Sequence, residues 1–176
     1  MMQSKPTVPP SRVVVTTIAV VQLLAVAFWA GGLVALGAIV APIVFHVVPA
    51  PTSADAMTLV FQRFDRVAIT CAAIALVAEA AFAMRGGKVT RVDLVRGLAL
   101  VGAAGLAIAI GAWLSPGIAE LHQGGAVRGS GEAGLALERL HRLAEALAKT
   151  EIVLLLLVFS LAVVKVARPS AKADSA

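Results

Sequence analysis

Four long apolar runs dominate this chain, at residues 13–41, 67–84, 94–114 and 152–166. A helix needs about 20 predominantly apolar residues, within a range of ~17–25, to cross a bilayer core. The second and third runs fit, and the fourth reaches that length once Thr150 and Ala167 extend it. The first is longer than a crossing needs, so it is expected to tilt or protrude, and Pro42 is expected to kink or end it. No alternating strand pattern or aromatic girdle supports a barrel. The expected fold is an all-α, integral membrane four-helix bundle with amphipathic helices in the two outer loops. One domain, residues 13–168, holds spans at about 13–41, 67–85, 93–114 and 150–168, between short tails at 1–12 and 169–176.

Composition agrees. The chain is 60% hydrophobic and 14% charged, against roughly 45–50% and about 25% in soluble domains. A net charge of +5 could suggest nucleic acid, but Lys and Arg cluster at the ends of the apolar runs, where they set orientation, and nucleic-acid motifs are absent. The single cysteine, Cys71, excludes an internal disulfide and a Cys-based zinc site, and within an apolar run it reads as a packed side chain. A secretory signal is the rival reading of the first run. Signal h-regions span only ~7–15 residues, whereas this run continues past Trp29, so a retained helix is expected.

Orientation follows from the basic residues. Lys5, Arg12, Arg85, Lys88, Arg91, Arg96, Lys165, Arg168 and Lys172 fall on one side, with Asp93 and Asp174. Arg63, Arg66, Arg128, Arg139, Arg142 and Lys149 fall on the other, offset by Asp55, Asp65, Glu120, Glu132, Glu138, Glu145 and Glu151. The positive-inside rule then puts both termini in the cytoplasm of an inner or plasma membrane. In the first outer loop Met57, Val60, Phe61, Phe64 and Val67 recur at helical spacing, which predicts a helix in the interface that then turns into the second span. The other outer loop carries Gly124-Gly125 and Gly129-Ser130-Gly131, then resumes a helical period from about Ala133 into the last span. It lacks the Lys-Ser/Thr ending of a phosphate-binding loop.

Two groups of residues could carry chemistry. Glu79 is a lone carboxylate in an apolar run, and an ionisable group in hydrocarbon marks a functional site by default. It shares a helix seam with Ala68, Ala72 and Ala75, so it points toward other helices; Ala99, Ala103, Ala107 and Gly111 form a second row of small residues. Gln22, Arg96 and Ser160, each from a different span, lie at similar depth. They form with Glu79 a candidate polar layer, read either as a proton- or ion-responsive site or as an interhelical hydrogen-bond cluster. Arg96 is expected to snorkel to the interface rather than pair. The second group is histidine. Glu138, His141 and Glu145 share a helix face, and with His46 and His122 they could hold zinc or iron. The i,i+3 and i,i+4 pairs Glu138–Arg142, Arg142–Glu145 and Glu145–Lys149 instead favour an ordinary solvated face. No cofactor is expected, a metal ion is the one candidate, and no nucleophile constellation is present.

Trp29-Ala30-Gly31-Gly32, with Ala41-Pro42-Ile43-Val44-Phe45, resembles the Trp-x-Gly-Gly … Ala-Pro-x-x-Phe signature of the domain of unknown function 4149, also called the transmembrane protein 205-like group. Ser115-Pro116 with Leu121, and Arg139-Leu140-His141, resemble its later motifs. The resemblance implies a four-helix bundle of unestablished molecular function, loosely linked to drug or metal-compound resistance. The family typically follows its His with Ser and then Asn. Ala144 and Ala148 stand at those places, which counts against an active-site role for His141. Trp-x-Gly-Gly also occurs in copper-resistance D proteins, but the chain has no Met-rich or His-rich tract. The reading is a non-enzymatic protein of the lipid bilayer that handles a small solute or ion around Glu79. The alternatives are a scaffold subunit and, behind it, a metal-dependent or copper-handling protein. The small-residue rows could also be homo-oligomer faces.

Overall fold

A computed structural model describes residues 12–85 and 89–167, and their side chains from 13 to 85 and from 89 to 164. The two tails, Lys88 and the side chains of Arg12, Lys165, Arg168 and Lys172 lie outside the described residues, together with Asp174.

The described chain is helical and contains no strand. The first span is α1 (Arg12–Ala35), a π-helical segment (Leu36–Val40) and α2 (Ala41–Val47). The second is α3 (Thr52–Ala83). The third is α4 (Arg91–Ala109), a second π-helical segment (Ile110–Leu114) and α5 (Ser115–Gln123), and the fourth is α6 (Gly131–Ala167). Each of the four is long and apolar enough to cross a membrane. They pack as an up-down-up-down ring in which α3 lies beside α1 and α4, and α6 beside α4 and α1. The start of α1, the turn at Met84-Arg85 after α3, the start of α4 and the end of α6 share one end of the bundle, here the turn end. Residues 48–51 and 124–130 close the other, the loop end.

Two local expectations change. The segment from Thr52 does not turn before entering the second span. It runs straight into it as a 32-residue helix, because nothing between Thr52 and Ala83 is Gly or Pro. Pro42 does not end the first span either. The π-helical turn just before it removes the clash between the proline ring and the preceding carbonyl, and the helix continues to Val47. Ser115-Pro116 in the third span has the same arrangement. Gln22 and Pro42 are as far apart in sequence as Arg96 and Pro116, so the first and third spans repeat one pattern of polar residue, π turn and proline.

The core follows the small-residue rows. Ala68, Ala72 and Ala75 of α3 and Ala99, Ala103 and Ala107 of α4 are buried together, around Val26, Trp29, Leu100, Leu155 and Val158. Small side chains let the backbones approach, which is how helices bind one another where lipid removes the hydrophobic drive. Ala103→Leu should therefore overpack the centre and cost about 1–3 kcal/mol, read as a lower unfolding midpoint in detergent. The outward faces are apolar too: Leu24, Phe28, Val77, Leu98, Trp113 and Val153 are all more than half exposed. A water-soluble surface does not carry that much contiguous apolar area, whereas lipid tails solvate it.

Near the turn end, Thr90 caps α4. Its hydroxyl accepts from the Asp93 N–H at 3.2 Å while the Asp93 carboxylate accepts from the Thr90 N–H at 3.2 Å. This capping box fixes the start of the helix one turn before Arg96. Thr90→Ala should cost about 1 kcal/mol of stability in the same unfolding assay.

Candidate functional site

Inside the bundle, polar side chains form three layers. The first joins three spans. Arg96 forks onto Glu79, its Nε donating to Oε2 at 3.1 Å and Nη2 to Oε1 at 2.8 Å. Gln22 Nε2 also donates to Glu79 Oε2, at 2.8 Å, and to the Ala75 carbonyl at 3.4 Å. Arg96 and Gln22 are buried, and Glu79 is mostly so. The bidentate fork is the strongest geometry available to a guanidinium and a carboxylate. Asp93 stands 3.7 Å from the same guanidinium, and the Phe82 ring lies under both Arg96 and Arg85, at 5.9 and 5.4 Å. That ring covers the layer on its turn-end side.

Arg96 thus pairs and does not snorkel. Its capped helix starts only a turn earlier, and a three-bonded carboxylate on the adjacent helix holds the guanidinium better than the interface would. Ser160 is not part of the layer. It is exposed on α6, on a different face from the buried Leu155, Val158 and Ala162.

Seven residues beyond Gln22 along α1, about 10 Å toward the loop end, lies the second layer. Trp29 Nε1–H donates to Glu151 Oε1 at 2.6 Å, and both side chains are sealed from the surface. Glu151 Oε2 has no hydrogen-bond partner. The charge pattern of the sequence places Glu151 among the loop acids; α6 carries it into the bundle instead. The third layer lies at the loop end, where Ser115 Oγ–H donates to Asp65 Oδ2 at 2.6 Å. Gly111 makes room for it: a Cβ there would sit 3.1 Å from Asp65 Cβ. A cleft of about 250 Å³ opens beside Asp65, lined also by Gln62, Arg66, Ile69, Gly111 and Pro116. Asp65 too leaves the loop acids for the helix bundle.

The first and third spans supply the donors in all three layers, Gln22, Trp29, Arg96 and Ser115. The second and fourth supply the carboxylates, Glu79, Asp65 and Glu151. Asp65 and Glu151 each bond across to the other hairpin. The sequence signal for this was the Trp-x-Gly-Gly motif, in which Trp29 carries a donor deep inside a span. Gly32 serves packing: any Cβ there would strike the Phe64 ring. Gly31 has open space around it, and Pro42, Phe45 and Pro116 are exposed.

The histidines do not assemble a metal site. Among the described residues no group of three or more His, Cys, Asp or Glu side chains is close enough to hold an ion. His122 and His141 meet edge to face with centroids 5.7 Å apart, whereas His46 is exposed at the end of α2. Glu138 is paired with Arg142, and Glu145 with Lys149 at 2.7 Å, which are the pairs of a solvated helix face. The glycines between α5 and α6 are turn residues, Gly125 and Gly129 adopting φ of 78° and 75°.

No curated protein and no solved structure matches the chain. A family model does match, over residues 24–126, a stretch that contains Trp29, Asp65, Glu79, Arg96 and Ser115 and stops short of Glu151. This multi-pass membrane protein belongs to the family described as the domain of unknown function 4149.

Proposed function

We propose that the protein handles a small solute, most simply an ion, across an inner or plasma membrane, without catalysing a reaction, and that the Glu79–Arg96–Gln22 layer is its charged closure on the cytoplasmic side. The observation that carries this reading is the bidentate Glu79–Arg96 pair set among apolar helices. Burying two charges is expensive, and well-packed apolar residues often serve stability as well or better. Ionisable side chains held among lipid-facing helices mark a functional site by default, which favours this reading. The paired hairpins add support, because transporters of several kinds are built from parallel repeats with their sites where the repeats meet. The basic turn end faces the cytoplasm in this reading, by the positive-inside rule.

Purified protein in liposomes tests it, with sodium, potassium, chloride and proton fluxes followed separately. Flux of one of these above protein-free liposomes, changed at least about tenfold by Glu79→Gln, is the expected result; a tenfold change corresponds to about 1.4 kcal/mol. Fluxes equal to protein-free liposomes for all four contradict it. They would favour the second reading, a scaffold subunit in which the pair fixes helix register; the small-residue rows are buried in the bundle's own core and are not a face for a second copy. The specific observation behind that reading is that Glu79 already accepts three hydrogen bonds.

A further inference from the structure

The Glu79 layer is complete in itself, and the second layer is not. Glu151 is 1% exposed, its Oε1 takes the Trp29 N–H, and its Oε2 takes nothing. A carboxylate oxygen left bare inside an apolar bundle is among the most expensive arrangements a membrane protein can hold. It persists where something absent from the protein chain completes it. The groups around it narrow the choice. From α3 the field of the Asp65 carboxylate reaches Glu151, and it is negative. From α1 the facing group is the neutral indole of Trp29. On the third span, Arg96 and Asp93 belong to the Glu79 layer and Ser115 is committed to Asp65. On α6 itself, Lys149 pairs with Glu145 and Thr150 turns back to the Ala146 carbonyl. Among the described residues no cation faces Oε2, and the one charge that bears on it repels an anion. What completes it is therefore positive, and a proton fits without any cavity.

We propose that Glu151 is a proton-binding site near the middle of the bundle, served from the loop end through Asp65. The cleft opens beside the Asp65 carboxylate at the loop end, with Gln62 and Arg66 as its other polar lining, and is the entry route in this proposal. Asp65 lines the cleft, its charge bears on Glu151, and the hydrogen bond it accepts from Ser115 holds it in place. In the uptake step a proton taken from water at the cleft passes by way of Asp65 to Glu151 Oε2, forming an O–H bond there; release breaks that bond and returns the proton by the same route. Trp29 keeps Oε1 occupied throughout, so the exchange is confined to Oε2. This site stands apart from Glu79, about 10 Å away along α1.

Trp29 is also a built-in reporter. The chain has two tryptophans, and the other, Trp113, faces outward at 74% exposure, so Trp113→Phe leaves Trp29 as the sole indole. In that protein, in detergent, emission should pass through one proton-linked transition as pH is varied, since the indole N–H bonds the titrating carboxylate. Glu151→Gln should abolish the transition, Asp65→Asn should displace its midpoint, and Glu79→Gln should leave it in place. The last result separates this site from the ion-handling reading, which can fail on its own. A Trp113→Phe protein with no transition overturns the proposal without any change at Glu151. So does a transition that survives Glu151→Gln or ignores Asp65→Asn.

Discussion

Arg96→Met is expected to destabilise the bundle by about 3–5 kcal/mol, the usual cost of stranding one member of a buried pair. The mutation removes both charge-assisted bonds to Glu79 and leaves that carboxylate with the Gln22 amide as its one remaining donor. Methionine roughly keeps the volume, so the loss is electrostatic rather than a cavity. Adding Glu79→Leu to the same chain should recover most of the stability, because an apolar pair of similar size leaves nothing unpaired. Unfolding in mixed micelles, followed by loss of helical signal, measures both. The two single changes should therefore be far from additive, with a coupling of the order expected for residues in direct contact, about 0.5–3 kcal/mol or more. Additive effects would mean that the pair does not form in the membrane.

Trp29→Ala should cost a comparable amount, about 3–5 kcal/mol, for a different reason. Trp29 is fully buried in the core cluster that also holds Val26 of its own helix and Leu155 and Val158 of α6. Truncation opens a cavity and also deprives Glu151 of its one donor. Trp29→Phe separates the two effects. It keeps most of the packing and removes the N–H, so the remaining loss, about 1–3 kcal/mol, is that of a buried acceptor left unsatisfied. If Glu151→Leu is placed in the Trp29→Phe chain, that portion should largely return. A Trp29→Phe protein as stable as the parent would show that the indole N–H contributes nothing.

The sequence carried some of this architecture openly and hid the rest, and the difference is one of locality. Apolar runs of crossing length are a local property, so all four spans could be read directly. The direction of Glu79 was legible because Ala68, Ala72 and Ala75 mark its seam every three to four residues. Its partner was ambiguous. An arginine near a helix start can snorkel or pair, and the choice is made by what the neighbouring helix offers, here a carboxylate at 2.8 Å. Ser160 matched the others in depth but not in direction, since depth along a helix says nothing about its face. Asp65 and Glu151 were hidden for a further reason. Each sits among charged neighbours, Arg63 and Arg66 in one case and Glu145 and Lys149 in the other, and so looks like part of a solvated ladder. Only the fold brings Ser115 and Trp29 to them. The proline-linked π turns could not be foreseen either, because a proline inside an apolar run is equally a kink, an end or a bulge until packing selects one.

The central claim is that the Glu79–Arg96 pair serves function and not merely cohesion. The most direct measurement is ion flux through liposomes containing the Glu79→Leu/Arg96→Met protein, made on a sample whose unfolding midpoint has been shown to match the parent. An intact, stable bundle whose flux differs from the parent's at least tenfold is the predicted result. A stable bundle with the parent's flux unchanged would contradict the claim and leave the pair as a device for helix packing.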